Sequence, residues 1–452
     1  MEFLENSKKI NESSTKNKET EALLEKENKK EYNTFNKIKK KLFKKSLIKN
    51  ISTSNTLLNK KSKKRNEAKL KSIFQKSQEQ KRNRHFGIDI ARIIAIILII
   101  NHHILFHGGP LFHTKNLSFE KYLFIYFNYI FTSGVNIFGM ISGFVGFPSH
   151  KFSNLIYLLF QTFFYNYGIA FYFKKTKPKY VHDLRRFLYP LFISDYWYIS
   201  AYCIIYFFFP SINIGIKTME KRQMGIFNLS LFLFFSCFSQ IKHYSTRLKG
   251  DYFFFNNGLS FTWLLILYFL GSYFGRFYKE SHNYNKFLIF VLCLGIICIA
   301  TFYRTLIVIN KIKQQHKHSF NMIYEYTSPS SVIISTCIII MFSKVDIKSN
   351  ILQRIISFFA PLTFGVYLIH NHKLVRENII AKNYSWLLKY HSIKLILIQV
   401  FESIKIFLFC SLIDFFRLLI FKILRIKQLC SFISNLLAKM GNGILCIFEF
   451  LY

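Results

Sequence analysis

The chain has 452 residues, 51% of them hydrophobic and 19% aromatic, with 62 Lys+Arg against 23 Asp+Glu for a formal net charge of +39. Apolar runs recur from residue 86 onward, which excludes an ordinary soluble fold; the positive charge is spread over one tail and the joints between runs, which argues against nucleic acid as a partner. The eight cysteines stand alone, with no Cys-x-x-Cys pair, and so exclude a disulfide framework and a zinc site; no metal is expected.

Residues 1–84 are rich in Lys, Glu, Asn and Ser, with blocks such as KIKKKLFKKSLIKN and KKSKKRNEAKLK. Too little apolar surface is available there to offset chain entropy, so the segment reads as a disordered cytoplasmic tail. The stretch NKIKKKLFKKSLIK can alternatively lie as a basic amphipathic helix on an anionic membrane surface. The polar, charged beginning is unlike a secretory signal peptide, and its acidic residues are unlike a mitochondrial transit peptide.

From Phe86 the chain reads as spans at roughly 86–106, 123–147, 152–173, 195–214, 225–241, 259–277, 287–309, 329–343, 355–370 and 393–415. Each approaches the length that a hydrocarbon core requires, the eighth and ninth being short enough to be tilted or discontinuous. The expected fold is all-α: a polytopic transmembrane bundle of about ten helices over 85–420, with 421–452 as an interfacial or extra helix. KRNR before the first span places the N-terminus in the cytoplasm, and ten spans return the C-terminus to that side. The basic segment KKTKPKYVHDLRR (174–186) then falls on the far side, so either a span is miscounted or that loop meets an anion.

The first span holds RIIAIILIINHH, residues 92–103. On a helix Arg92 and His103 share a stripe, within roughly 20° and about 16 Å apart along the axis. Asp89 and His107 fall within roughly 60° of it, whereas His102 turns some 80° to the other side. Ionisable groups along one face of an apolar helix are expensive in lipid and call for a function.

FGIDIARIIAIILIINHH resembles the first transmembrane helix of the acyltransferase-3 family of membrane O-acyltransferases, whose signature of Arg or Lys, ten residues, then His falls on Arg92 and His103, with Asp89 in the preceding Asp-x-x-Arg position. VNIFGMISGFVGF (135–147), with Ser142, Gly143 and Phe144, is similar to the family's second-helix pattern. YWYISAYCIIYFFFP (196–210), FTWLLILYFLGSYFGRFYK (261–279) and LTFGVYLIHNH (362–372) resemble later blocks in the same order, and the resemblance covers roughly 86–420. It implies an O-acyltransferase that moves an acyl group, foremost acetyl, from acyl-CoA to a carbohydrate hydroxyl, with no permanently bound cofactor. Its partners would be the lipid bilayer, acyl-CoA and a glycan acceptor. It would be an integral protein of the plasma membrane, or of an endomembrane in a eukaryote.

Within that implication His103 is the general base, since a neutral imidazole suits removal of a hydroxyl proton; the alternative is a helix-end histidine at the lipid interface. Asp89 joins His103 in the catalytic set as the partner of Arg92. Arg92 either completes a structural pair with Asp89 or meets the phosphates of acyl-CoA, and the helix would act as a ruler spanned by the pantetheine arm. His107, Trp197 and His370 are candidate substrate contacts, each with a plainer reading as a loop or interfacial residue. Ser142 and Gly143 read as helix-packing residues, and Arg376 with Glu377 as a surface pair. The rival readings are a multi-span transporter or flippase of a lipid-linked or anionic substrate, and a catalytically dead relative.

Overall fold

The computed structural model describes residues 84–115, 118–146, 151–181, 196–238, 255–278, 285–314, 325–381 and 383–451, with backbone alone for 441–451. The tail 1–83 and residues 182–186 of the basic loop 174–186 lie outside the described residues, as do the expectations attached to them.

Every expected span is helical, and no strand occurs among the described residues. α1 (Phe86–Phe106) begins where His85 Nδ1 accepts from the Ile88 N–H. It ends at His107 and Gly108, after which Gly109 adopts φ +106° and Pro110 opens the short α2 (Pro110–His113). α3 (Phe119–Gly146), α4 (Phe152–Thr176) and α5 (Trp197–Thr218) follow. Pro210 lies inside α5 and does not close it. α6 (Lys221–Phe232) starts on a Glu220/Gln223 capping box and runs on into a π turn at Leu233–Cys237. α7 (Phe261–Phe277), α8 (Lys286–Lys313) and α9 (Pro329–Ser343) are capped by Ser260, Asn285 and Ser328.

The ninth span is discontinuous. α10 (Asn350–Phe359) and α11 (Thr363–His370) are joined through a 3-10 turn at Ala360–Leu362, where Pro361 cannot donate the hydrogen bond a continuous helix needs. After the single turn α12 (Lys373–Val375) come α13 (Ser392–Ile423) and α14 (Ile426–Leu451), separated at Arg425 with φ +51°. Helices α1, α3, α5, α8 and the α10–α11 unit are long and apolar enough to cross a membrane; α7 and α9 are shorter and apolar.

α1 is central, packing on α3, α9 and α13, with Ala91, Ala95, Ile96 and Ile100 fully covered. α3 and α7 form the closest seam. Each carries Gly-x-x-x-Gly, Gly139–Gly143 and Gly271–Gly275, and the motifs face each other. A Cβ on Gly143 would run into the Tyr268 carbonyl, and one on Gly271 into the Met140 carbonyl. Backbones this close gain dispersion contacts that lipid tails cannot replace.

Polar side chains in the bundle are paired across helices. Asp414 receives Arg417 through two bonds of 2.9 and 2.8 Å, and also Tyr165 Oη at 2.7 Å and Gln161 Nε2 at 3.3 Å, which ties α13 to α4. Arg304 of α8 meets Glu325 at 3.1 Å, and both are buried. Asn101 of α1 donates to Ser403 Oγ on α13 at 2.7 Å.

Gly271→Ala is expected to cost about 3 kcal/mol or more by forcing α3 and α7 apart. Gly295→Ala, on the open face of α8 with nothing within 4 Å of the added carbon, should be neutral or stabilising by up to about 1 kcal/mol. Thermal unfolding of the two variants in detergent, followed by size-exclusion chromatography, checks the contrast.

Candidate functional site

One cavity of about 400 Å³ opens at the C-terminal half of α1. Its wall from α1 is Ile99, His102, His103, Phe106 and His107, the i, i+3, i+4, i+7, i+8 stripe of one helix face. α3 adds Val135 and Phe138, the first turn of α5 adds Trp197 and Tyr198, and α11 adds Phe364 and Tyr367. Leu259, Tyr326, Asn371 and Arg376 complete it.

Four histidines gather here. The His103 ring lies 5.2 Å from His107, 5.1 Å from His370 and 5.8 Å from His102, centroid to centroid. His102 turns toward α3, its Nδ1 2.8 Å from Asn128 Oδ1, as its angle on the helix predicts. His103 faces the cavity, and its Nδ1 is buried with no hydrogen-bond partner, which leaves Nε2 for the cavity. His107 caps α1 and shares the cavity wall. His370, at the end of α11, is fully buried behind His103; its Nδ1 lies 2.6 Å from the Val366 carbonyl and must therefore carry the hydrogen.

Neighbouring hydrogen bonds fix the other walls. Tyr196 Oη donates to the Leu368 carbonyl at 2.8 Å, seating the start of α5, and with it Trp197, against α11. The Tyr198 and Tyr367 rings meet edge to face at 6.1 Å. Tyr326 is held from both sides: Asn136 Nδ2 donates to its carbonyl at 2.8 Å, and its own N–H donates to the Asn257 carbonyl at 3.1 Å. Asn136 also receives the Trp263 indole N–H at 3.1 Å and donates to Ser331 Oγ at 3.0 Å.

Arg92 and Asp89 sit at the other end of α1. Asp89 Oδ1 takes Arg92 at 2.7 Å and Asp89 Oδ2 takes Arg84 at 2.6 Å, so one carboxylate clamps two guanidiniums, each partly open to solvent. Asp89 is fourteen residues from His103 on one helix, about 21 Å along the axis, and cannot touch it. Tyr198 belongs to the cavity end. It lines the cavity from the first turn of α5.

The structure therefore joins His103, His107 and Trp197 around one space, whereas His370, expected as a substrate contact, is buried behind His103 and does not line it, and Arg92 with Asp89 is set apart from them. Sequence reasoning missed Arg376. Its expected surface pair with Glu377 does not form, because a π turn at Arg376–Ile380 turns the guanidinium into the cavity, where Nη1 donates to Asn371 Oδ1 at 3.2 Å. Glu377 is exposed and lies 3.8 Å from Lys373. Tyr326 was missed too. A signal was present in the adjoining Glu325, a lone acid in a basic loop, which needs a cation once buried.

The described helices form an apolar bundle around a cavity lined by histidines and aromatic rings. The chain belongs to the acyltransferase-3 family: the model of that family's acyltransferase domain matches residues 85–415. It is thus a membrane acyltransferase. Neither the curated proteins nor the solved structures gave a match.

Replacing Asn136 by Ala strands the Tyr326 carbonyl, the Ser331 hydroxyl and the Trp263 N–H together. A loss of about 2–4 kcal/mol is expected, read as a lowered melting temperature in detergent.

Proposed function

We propose that this acyltransferase moves an acyl group, foremost acetyl, from acyl-CoA to a hydroxyl of a carbohydrate. The observation that carries the reading is the division of α1 into two chemistries: a clamped pair of arginines at one end and an imidazole facing a cavity at the other. Arg92 and Arg84 suit the phosphates of the nucleotide end, since guanidinium matches phosphate geometry. The axial distance of about 16 Å from Arg92 to His103 suits the extended pantetheine arm, which would bring the thioester to the cavity. Trp197 and Tyr198 offer flat aromatic faces to the sugar ring.

The chemistry then follows from His103. The acceptor hydroxyl oxygen attacks the thioester carbonyl carbon while its proton passes to His103 Nε2. Negative charge gathers on the carbonyl oxygen, and Arg376, which lines the same cavity, would stabilise it. The carbon–sulfur bond breaks with its electron pair on sulfur, and the thiolate recovers the proton from His103. The ester and the free thiol leave, with no change in the enzyme.

The N-terminal tail, residues 1–84, would face the cytoplasm, where acyl-CoA is made, with 85–420 as the transferase body and 421–452 as an accessory helix. The membrane would be the plasma membrane, or an endomembrane in a eukaryotic host.

Membrane vesicles supplied with labelled acetyl-CoA test the reading. Wild type should move label into a glycan fraction, and His103→Ala should lose at least about a hundredfold in rate. Label that never enters a carbohydrate fraction, from a well-expressed wild type, would discard the acceptor and turn attention to transport. Arg92→Ala should raise the apparent donor KM about tenfold or more with a smaller fall in turnover; the reverse pattern would count against a donor site there.

A further inference from the structure

A catalytic imidazole needs a third group that accepts the hydrogen on its far nitrogen, fixing its tautomer and orientation. Sequence pattern offered Asp89 for the catalytic set, but that carboxylate is engaged by two arginines at the opposite end of α1. Among the described residues lining the cavity there is no carboxylate at all. The partner of His103 has to be something else.

We propose that His370 is the positioning residue for His103, acting through its Nε2 on the Nδ1–H of His103. Three observations support this. The two rings lie 5.1 Å apart, a separation at which a turn of the His103 ring brings their nitrogens to hydrogen-bond distance. His103 Nδ1 and His370 Nε2 are both buried without a hydrogen-bond partner, two orphans side by side in a protein where such atoms are rare. The Val366 carbonyl takes the hydrogen of His370 Nδ1 at 2.6 Å, so the neutral ring must present Nε2 as a bare acceptor. Val366 and His370 stand one turn apart on α11, so the helix itself sets the tautomer.

In the transfer step His103 Nε2 gains the hydroxyl proton while Nδ1–H stays in place and donates to His370 Nε2. The ring that becomes positive is thereby held and partly compensated, and His370 keeps its own hydrogen throughout. Catalytic hydrogen bonds of this kind are commonly long without substrate and tighten when it binds. The arrangement is a histidine–histidine dyad in which a neutral acceptor replaces the carboxylate of a triad.

This rests on His103 being the base of the proposed reaction, and two substitutions separate it from a structural role. His370→Gln places an amide oxygen near the Nε2 position and gives up the bond to Val366. His370→Asn keeps a donor near Nδ1 and gives up the acceptor. Acyl transfer by purified, monodisperse protein should persist within about threefold in the Gln variant. It should fall ten- to a hundredfold in turnover in the Asn variant, with both KM values unchanged. Equal turnover in the two variants, at any level, or loss confined to the Gln variant, overturns the dyad. A wild type without transfer would instead overturn the functional reading on which it stands, and a fully active His103→Ala would overturn base and partner together.

Discussion

A charge inside hydrocarbon must be answered by another group of the protein, and the bundle is arranged around that requirement. Asp89 answers two arginines at one end of α1. Asp414 answers Arg417 and collects Tyr165 and Gln161 from α4, which holds α13 in place. Glu325 answers Arg304 and so anchors the segment that carries Tyr326 to the cavity. Breaking such a pair by removing one member leaves an uncompensated buried charge, so these contacts specify how the helices fit together.

Against that rule the cavity stands out. Its histidines include two buried nitrogens with no partner, His103 Nδ1 and His370 Nε2, while His102 and His372 nearby are engaged by Asn128 and by the Asn166 carbonyl. His102 and His372 thus hold helices together, while His103 and His370 keep a free nitrogen each. The seam of α3 and α7 lies on another face of α3. Its glycines let the backbones approach, leaving Val135 and Phe138 of α3 to face the cavity side.

The spans themselves were legible because lipid imposes a local rule. A helix that crosses hydrocarbon must be apolar along its own length, so the runs 86–106 and 329–343 coincide with α1 and α9. Polar flanks obey no such rule. α3 begins at Phe119 and α13 ends at Ile423, beyond the runs that announced them, because Glu120, Lys121 and Arg417 find partners that a hydropathy reading cannot see. Arg376 was misjudged for the same reason. A charged residue shortly after a span end looks like loop, and only the turn at Arg376–Ile380 brings it back to the cavity.

By itself the sequence determined the helices and the order of groups along α1, since rise and angle per residue are properties of one helix. Tertiary packing alone decided which of those groups meet others: that Asp89 serves two arginines and not His103, that His370 comes to lie behind His103, and that Arg376 joins them. Contacts between residues far apart in the chain depend on how every intervening helix packs, and no local period encodes that.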